Sequence, residues 1–274
     1  MITYGVVGRD EERTLEIALR QALDAAGPGD EVWFVDSASV DGSADVARRL
    51  GVEVVSTPAG KGRAVAAAVA RCDGGLLCLV DADIEGSSRN IPVALRDRWR
   101  ETRADMVVGD FAWPRRRLLS ITIAVHTPLV RALFPESLEL LAPQPLSGFR
   151  LLDTSFPLGR LPYGYGLECH LNVHVASTGG RIAWADLGTY DGPVIYRPAM
   201  APDIAEAILD VAEEQGRIER SERAQWDAWI QPVLELIATA PSIGEDALED
   251  YERRLAALAD RPTPPVRASV LPSP

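Results

Sequence analysis

The chain has 274 residues, 47% of them hydrophobic, and its formal net charge of -12 argues against nucleic acid or an anionic membrane as the main partner. No apolar stretch approaches the roughly 20 residues that span a bilayer, and the N-terminus shows no basic leader, so we expect a soluble, cytoplasmic protein. The three cysteines, Cys72, Cys78 and Cys169, lack paired metal-ligand spacing and are expected to be reduced core thiols.

The first part of the chain alternates strand and helix patterns. Apolar runs bounded by Gly, Pro and Asp predict strands at 2–7, 31–35, 52–56, 76–80 and 104–108. Amphipathic periodicity predicts helices at 11–26, at 44–50 with Ser43 as its cap, at 63–71, and from a cap at Ser87 or Ser88 to about 102. This alternation predicts an α/β fold with a mostly parallel sheet flanked by helices.

The middle of the chain is less regular. A helical segment is predicted at 118–133, whereas 143–166 is rich in Gly and Pro and is interpreted as loops built over a site. A helix at 168–177, a strand at 181–185 and a loop at 186–202 follow, and they complete a domain predicted to span residues 1–202.

The last part of the chain changes character. Helical patterns at 204–216, 221–239 and 245–259 predict a C-terminal helical region over 203–260, which would be either a dimerisation element or a lid. A homodimer is therefore left open. The tail at 261–274 carries five prolines and no apolar period, so we expect it to be disordered.

Two carboxylates, Asp81 and Asp83, directly follow the buried-type strand at 76–80. Ligands of open α/β sheets sit at the carboxyl ends of the strands, and hard oxygen ligands there suit Mg²⁺ or Mn²⁺ carrying substrate phosphates. The alternative is that the two carboxylates only form the polar end of the strand and cap the next helix. The pattern alone does not decide between these interpretations.

Polar residues also follow the other early strands. In a parallel sheet, they would share one edge with the Asp pair: Glu11 after the first strand, Ser37 after the second and Lys61 after the third. Lys61 is the single lysine among 28 Lys and Arg residues and lies between two glycines, where a compact ammonium is a good phosphate contact. The glycine pattern of a dinucleotide-binding Rossmann domain is missing after the first strand.

Six motifs carry a resemblance to a known family: 10–15 (DEERTL), 36–43 (DSASVDGS), 60–62 (GKG), 80–83 (VDAD), 144–148 (QPLSG) and 164–168 (GYGLE). On these motifs, over about residues 1–192, the sequence resembles the family-2-like glycosyltransferases of GT-A fold. Within them it is most similar to the glucosyl-3-phosphoglycerate and mannosylglycerate synthase types. The resemblance implies a nucleotide-diphosphate-sugar donor, with UDP-glucose favoured, a divalent metal, and transfer with retention of anomeric configuration.

The resemblance also implies roles for individual residues. Glu11 and Ser37 would contact the base or ribose, Lys61 the diphosphate, and Asp83 would be the principal metal ligand, with Asp81 near the ribose and the metal's water shell. Glu168 matches an acidic residue near the sugar and acceptor, where it would orient the acceptor hydroxyl or act as a base on it. It would otherwise be an acidic residue that favours the start of a helix.

The sequence departs from the family pattern at one metal ligand. Where the family has a histidine, this chain has 186–192 (DLGTYDG), in which Asp191 would either replace that ligand or be an exposed turn residue. His170 and His174 lie four residues apart on a predicted helix, but a zinc site would need a third ligand that we do not find.

Acceptor binding is assigned to residues near the 144–148 motif. Ser147, Gly148 and Arg150 would contact the acceptor, with His170 approaching it beside Glu168. Arginines 115–117 would either bind an acceptor anion or form a solvated basic loop.

The leading hypothesis is a metal-dependent retaining glycosyltransferase that acts on a small anionic or polyhydroxylated acceptor. A non-catalytic nucleotide-sugar-binding protein and a nucleotidyltransferase remain the alternatives.

Overall fold

The structure is a computed structural model that describes residues 1–112, 121–141, 144–191, 197–240 and 247–266. Its strands are β1 (Ile2–Gly8), β2 (Glu31–Asp36), β3 (Glu53–Ser56), β4 (Leu76–Asp81), β5 (Gly86–Ser87), β6 (Met106–Ala112), β7 (Arg150–Asp153) and β8 (Ile182–Asp191). Within the described residues, seven strands form one mixed sheet in the order β3-β2-β1-β4-β7-β6-β8, and the short β5 pairs with the end of β8.

Helices cover the sheet and extend beyond it. They are α1 (Leu15–Ala25), α2 (Ser43–Arg49), α3 (Lys61–Cys72), α4 (Ile91–Thr102), α5 (Thr127–Leu133), α6 (Leu167–Ser177), α7 (Met200–Glu214), α8 (Arg223–Thr239) and α9 (Leu248–Ala259). A π-helical turn, Thr122–His126, leads into α5, and a 3₁₀ segment, Pro135–Leu141, follows it. Within the described ranges, none of these helices combines the length and apolarity needed to cross a membrane.

The sheet is buried on both faces, which explains why its strands read as continuous apolar runs. Successive side chains of a strand point to opposite faces, so Cys78 and Val80 of β4 pack in a cluster with α1 and α4. Leu77 and Leu79 of the same strand pack in another cluster with α3 and α6. The three cysteines are buried and free, as predicted.

The predicted loop region 143–166 contains a strand, which corrects the sequence prediction. β7 lies between β4 and β6 and runs antiparallel to both, with Cys78 opposite Leu151 and Val107 also opposite Leu151. The four-residue segment Arg150–Asp153 is too short to show a periodic pattern, so only its long-range pairing identifies it as a strand.

Two predicted helix caps are also wrong. Ser43 is the first residue of α2, and its hydroxyl donates to Asp41 Oδ1 instead of capping the helix. The cap of α4 is Asn90, whose side-chain oxygen accepts from the backbone N–H of Val93 at 3.0 Å. Ser87 instead pairs in β5 and donates to the backbone oxygen of Arg89.

The C-terminal helices share a core with earlier parts of the chain. Side chains of α7, α8 and α9 form one cluster with the π-helical turn, α5 and two residues of α6, Cys169 and Val173. The start of the proline-rich tail contacts this region, because Trp229 Nε1 donates to the carbonyl of Pro262 at 2.9 Å. The predicted boundary between the first domain and the C-terminal helical region, at residue 202, therefore lies within one apolar cluster to which both parts contribute.

Candidate active site

A cleft of about 760 Å³ opens at the carboxyl ends of the parallel strands β1, β2 and β4. Chain segments far apart in sequence supply its walls. Eight of the predicted site residues line it: Glu11, Ser37, Lys61, Asp81, Asp83, Ser147, Gly148 and Glu168. The structure thus brings most of the predicted constellation to one edge of the sheet.

Lys61 is the charged centre of the cleft. It is the first residue of α3, and its ammonium lies 2.9 Å from Asp81 Oδ1 and 2.8 Å from Glu168 Oε1. Burial disfavours the charged ammonium, but the carboxylates of Asp81 and Glu168 outweigh burial and raise the pKa of Lys61 well above its usual value. Lys61 is therefore a permanent cation that links the end of β4 to the start of α6.

Two glycines allow other segments to approach this lysine. A Cβ on Gly148 would collide with the Asp81 carboxylate and lie 2.7 Å from Lys61 Nζ. A Cβ on Gly62 would collide with the backbone carbonyl of Pro162. Because residues 62 and 148 carry no side chain, the segments around 148 and 162 can pack directly against the Lys61 turn.

Glu11 and Ser37 border the other side of the cleft. Glu11 Oε2 accepts a hydrogen bond from the Thr14 hydroxyl at 3.0 Å, and burial raises the pKa of the Glu11 carboxyl. Ser37 Oγ accepts from the backbone N–H of Gly60 at 2.9 Å, which ties the end of β2 to the turn before Lys61. Both side chains are thus held at the cleft wall by their neighbours.

Asp83 lies beside Asp81 in a crowded acidic environment. Burial raises the pKa of Asp83 to about 6, the Asp81 carboxylate adds to this rise, and the cations of Lys61 and Arg197 oppose it. Two adjacent carboxylates, each of which disfavours the charge on the other, suit a divalent cation. Mg²⁺ in particular is usually held by one or two carboxylates together with substrate phosphates.

The described residues supply no complete protein cage for a metal. Within them, no group of three His, Cys, Asp or Glu side chains is placed to hold an ion. The donor set of Asp81 and Asp83 therefore fits a metal that completes its shell with substrate oxygens and water. The backbone of Asp191 pairs with Gly86 near this site, but its side chain, like arginines 115–117, lies outside the described residues.

Arg197 is a cleft residue that the sequence analysis missed. It lines the cleft, its Nη1 lies 3.5 Å from the Tyr165 hydroxyl, and its charge opposes the rise in the pKa values of Glu11 and Asp83. Arginine is the common cation of this sequence, so residue type alone gave no signal. Only the fold brings Arg197 into the cleft that Glu11 and Asp83 also line.

Asp203 was also missed. It lies in the first turn of α7, lines the cleft, and accepts a hydrogen bond from the backbone N–H of Tyr165 at 2.9 Å. Its carboxylate thereby holds the 164–166 turn that precedes Glu168. An acidic residue in a first helical turn is a recognisable sequence signal, but it predicts a favourable dipole interaction and not a place in a cleft.

Arg150, which was predicted to contact the acceptor, does not line the cleft. Arg150 is only 1% exposed and belongs to β7. Its guanidinium donates to Asn172 Oδ1 at 2.7 Å, to the carbonyl of Ser147 at 2.8 Å and to the carbonyl of Pro145 at 2.9 Å. All three guanidinium nitrogens are therefore hydrogen-bonded inside the protein, and two of these bonds hold the backbone of the 145–148 turn.

His170, which was predicted to approach the acceptor, does not line the cleft either. Residues two apart on a helix point to nearly opposite sides, so His170 faces away from the cleft that Glu168 lines. His170 is 3% exposed, its Nε2 lies 2.8 Å from the carbonyl of Leu158, and its ring stacks on His174 at 5.3 Å. The two histidines contact backbone carbonyls, and within the described residues no third metal ligand joins them.

The chain is similar to known glycosyltransferases. Residues 3–135 match the family described as Glycosyl transferase family 2, and no curated protein sequence matches the chain. One similar structure is glucosyl-3-phosphoglycerate synthase from Mycobacterium tuberculosis, solved with Mn²⁺, uridine diphosphate and glucosyl-3-phosphoglycerate. Its sequence is 24% identical to this chain, and the TM-score is 0.64. The match covers 77% of this chain and 79% of that enzyme's chain. A structure of the same enzyme with Mg²⁺ and uridine diphosphate is 23% identical, with a TM-score of 0.62, over 77% and 78%.

A second enzyme shares the architecture. Mannosyl-3-phosphoglycerate synthase from Rubrobacter xylanophilus is 23% identical, with a TM-score of 0.70, over 80% of this chain and 76% of its own. At such identities, these neighbours establish a shared fold. The predicted GT-A-like α/β fold with a C-terminal helical region is thereby confirmed.

Proposed function

We propose that this chain, whose residues 3–135 match the glycosyl transferase family 2 model, transfers a hexose from a nucleotide-diphosphate sugar, with UDP-glucose favoured, to a small anionic or polyhydroxylated acceptor. We further propose that transfer retains the anomeric configuration. The observation that carries the proposal is the position of Lys61 between Asp81 and Glu168, where the donor and acceptor sides of the cleft meet.

The donor side offers a contact for each part of a nucleotide diphosphate. Glu11 and Ser37 border the space for base and ribose, and Lys61 and Arg197 are the cations for the diphosphate. A guanidinium can bind phosphate oxygens with two parallel N–H groups, whereas an ammonium acts as a point charge. The mycobacterial enzyme was solved with uridine diphosphate, which supports this assignment of the donor.

Asp81 and Asp83 would hold a divalent ion, for which the Mn²⁺ and Mg²⁺ of the mycobacterial enzyme are the precedents. When bound, such an ion would neutralise charge on the diphosphate as it leaves. Lys61 serves the same purpose from the protein side, because its pKa keeps it charged at any physiological pH. Its release from Glu168 toward a phosphate would leave that carboxylate facing the acceptor.

The reaction breaks the bond between the sugar's anomeric carbon and the diphosphate oxygen. The acceptor hydroxyl oxygen forms the new bond on the same face, and its proton passes to the leaving diphosphate. Glu168 would orient the acceptor hydroxyl. A covalent intermediate would need a second positioned carboxylate at the sugar besides Glu168, and Asp81 and Asp83 are assigned to the metal in this proposal.

The test compares Asp83→Asn with the exposed control Asp73→Asn at the end of α3. Calorimetry with UDP-glucose, with and without Mn²⁺, is followed by an assay of glucose transfer. We expect the control to behave like the parent, and Asp83→Asn to lose the metal dependence of binding and at least a hundredfold in turnover. Full activity of Asp83→Asn would refute the metal assignment.

The calorimetry and the transfer assay, together with a separate assay of pyrophosphate release, address the rival functions. Binding of UDP-glucose without hydrolysis or transfer would indicate a non-catalytic binding protein. Release of pyrophosphate from a nucleoside triphosphate would indicate a nucleotidyltransferase.

A further inference from the structure

The turn at 164–166, just before Glu168, is held by the segment that leads into α7. The backbone N–H of Tyr165 donates to Asp203 Oδ2 at 2.9 Å, and the Tyr165 hydroxyl lies 3.5 Å from Arg197 Nη1. Asp203 belongs to the first turn of α7, and Arg197 precedes that helix. The segment 197–203 therefore contacts both the backbone and the side chain of Tyr165.

Two glycines allow the first turn of α7 to approach this closely. A Cβ on Gly164 would collide with Asp203 Oδ2, and the three atoms nearest to it would all belong to the Asp203 carboxyl group. A Cβ on Gly166 would lie 2.5 Å from the backbone oxygen of Asp203 and 2.6 Å from Ala207 Cβ. The Asp203 carboxylate thus occupies the space that a side chain at residue 164 would need.

The other side of this segment rests on the Lys61 turn. A Cβ on Gly60 would lie 2.8 Å from the backbone oxygen of Tyr163, and one on Gly62 would collide with the backbone oxygen of Pro162. Residues 162–166 therefore lie between the start of α3 and the start of α7, and the hydrogen bond from Tyr165 to Asp203 fastens them on the α7 side.

The same turn sets where α6 begins. Gly166 is the N-cap of α6, and its carbonyl accepts the backbone N–H of His170 at 2.9 Å. Glu168 is the second residue of α6, and its buried carboxylate lies 2.8 Å from the Lys61 ammonium. A shift of the 164–166 turn would therefore displace Glu168 within the cleft. A displacement of about 1 Å in a catalytic group can cost roughly a hundredfold in rate.

We propose that Asp203 is a positioning residue for Glu168: by holding the 164–166 turn, it sets where the Glu168 carboxylate meets the acceptor hydroxyl. This inference rests on the proposed glycosyltransferase function, in which Glu168 orients that hydroxyl. It gives the C-terminal helical region a part in the transfer step, because Asp203 belongs to α7. Loss of the Asp203 carboxylate should then lower kcat and leave the Kd for uridine diphosphate unchanged.

The first test compares Asp203→Ala and Asp203→Asn with the exposed control Glu206→Ala on the same helix. Release of uridine diphosphate from UDP-glucose is measured with Mn²⁺ and with 3-phosphoglycerate, glycerol or water as the acceptor, and the fastest of the three is used.

We expect Asp203→Ala to lower kcat at least about tenfold and Glu206→Ala to behave like the parent. Asp203→Asn should keep at least about a third of the parental kcat, because its amide oxygen still accepts from the Tyr165 N–H. A parental kcat in Asp203→Ala, or an unchanged kcat with a raised KM for the added acceptor, would overturn the inference.

A double-mutant cycle separates positioning from a general loss of structure. If Asp203 acts through Glu168, Asp203→Ala should lower kcat less than about twofold in a Glu168→Ala background, where the positioned carboxylate is already missing. A merely structural role would lower kcat by the same factor in both backgrounds. That result would refute the inference.

A second cycle tests the contact between residues 164 and 203. Gly164→Ala places a Cβ against the Asp203 carboxylate, so it should displace the turn and lower kcat at least about tenfold. Added to Asp203→Ala, the same change should cost less than about twofold more, because the atoms nearest to the new Cβ are then gone. Losses that multiply in the double variant would contradict the contact. If Asp203→Ala fails to fold, Gly164→Ala replaces it in the cycle with Glu168→Ala.

The proposed function and this inference fail in different ways. A parent chain that neither binds uridine diphosphate nor releases it from UDP-glucose refutes the proposed function. In an active parent chain, losses that multiply in the two cycles refute only the positioning role of Asp203.

Discussion

Lys61 and Glu168 form a buried ion pair of 2.8 Å that joins the start of α3 to the start of α6. Asp81 shares the same ammonium at 2.9 Å. The pair connects a turn that follows an early parallel strand with a segment from the second half of the chain. One cation therefore links cleft residues from the first and the second half of the chain.

Replacing that cation should disable the enzyme. Lys61→Met keeps most of the length of the side chain but leaves the buried Glu168 carboxylate and the partly buried Asp81 carboxylate without their partner, so we expect kcat/KM to fall about 10²- to 10³-fold and Tm to drop. The exposed Arg49→Met, at the end of α2, is the control and should change neither. Transfer kinetics and thermal unfolding check both; a fully active Lys61→Met would contradict the role in diphosphate stabilisation.

Arg197 should contribute to donor affinity. Arg197→Ala removes a guanidinium whose charge reaches Glu11 and Asp83, and we expect the Kd for UDP-glucose to rise about tenfold to a hundredfold. Calorimetry measures this change, and Arg197→Lys should restore part of the affinity. The exposed Arg220→Ala should bind like the parent. Parental affinity in Arg197→Ala would show that the guanidinium does not contact the donor.

Arg150 should be a stability residue. Arg150→Met leaves Asn172 Oδ1 and the carbonyl of Ser147 without their buried donor, whereas the carbonyl of Pro145 keeps the Asn172 side-chain amide, so we expect a loss of about 3 kcal/mol in the free energy of unfolding. Denaturant titration measures it, with the exposed Arg160→Met as the control. If Arg150→Met is as stable as the parent and only the acceptor KM rises, the sequence prediction was right after all.

His126 should make stability depend on pH. It is fully buried in the π-helical turn, neither ring nitrogen has a hydrogen-bond partner in the described part of the chain, and burial, aided by Arg150, lowers its pKa to about 3. Between that value and the unfolded pKa of about 6.5, the unfolded chain binds the extra proton, so stability falls as pH falls.

The size of this effect is measurable. From pH 7.5 to 5.5, the parent should lose about 1.4 kcal/mol more stability than His126→Gln, which cannot titrate there. The burial of His170 is common to both proteins, so its contribution cancels in the comparison. Equal pH slopes in the parent and His126→Gln would show that His126 is not held neutral by the fold.

Local sequence patterns were sufficient for the first half of the fold. β1 to β4 follow apolar runs that end at polar turns, and each strand was predicted to within two residues at either end. Because neighbouring parallel strands end at one edge, placing Glu11, Ser37, Lys61 and Asp81 after them was enough to predict a shared cleft. The structure brings these four residues together.

Helix boundaries were less predictable, for local reasons. α1 begins at Leu15 because Glu11 to Thr14 form a turn, in which Leu15 N donates to the carbonyl of Glu11 at 2.9 Å. Ser43 and Asn90 are both good caps by residue type. Which of two nearby polar residues caps a helix depends on the path of the preceding loop, and that path depends on tertiary contacts.

The sequence by itself thus determined the α/β class and the polar residues at the ends of the early strands, because these follow from hydrophobic periodicity within short windows. Only the tertiary structure decided that β7 enters the centre of the sheet and that the guanidinium of Arg150 is hydrogen-bonded in the interior. The tertiary structure also decided that Arg197 and Asp203 line the cleft. Strand pairing and the burial of a charge depend on residues far away in the chain, so a local pattern of residue types cannot predict either.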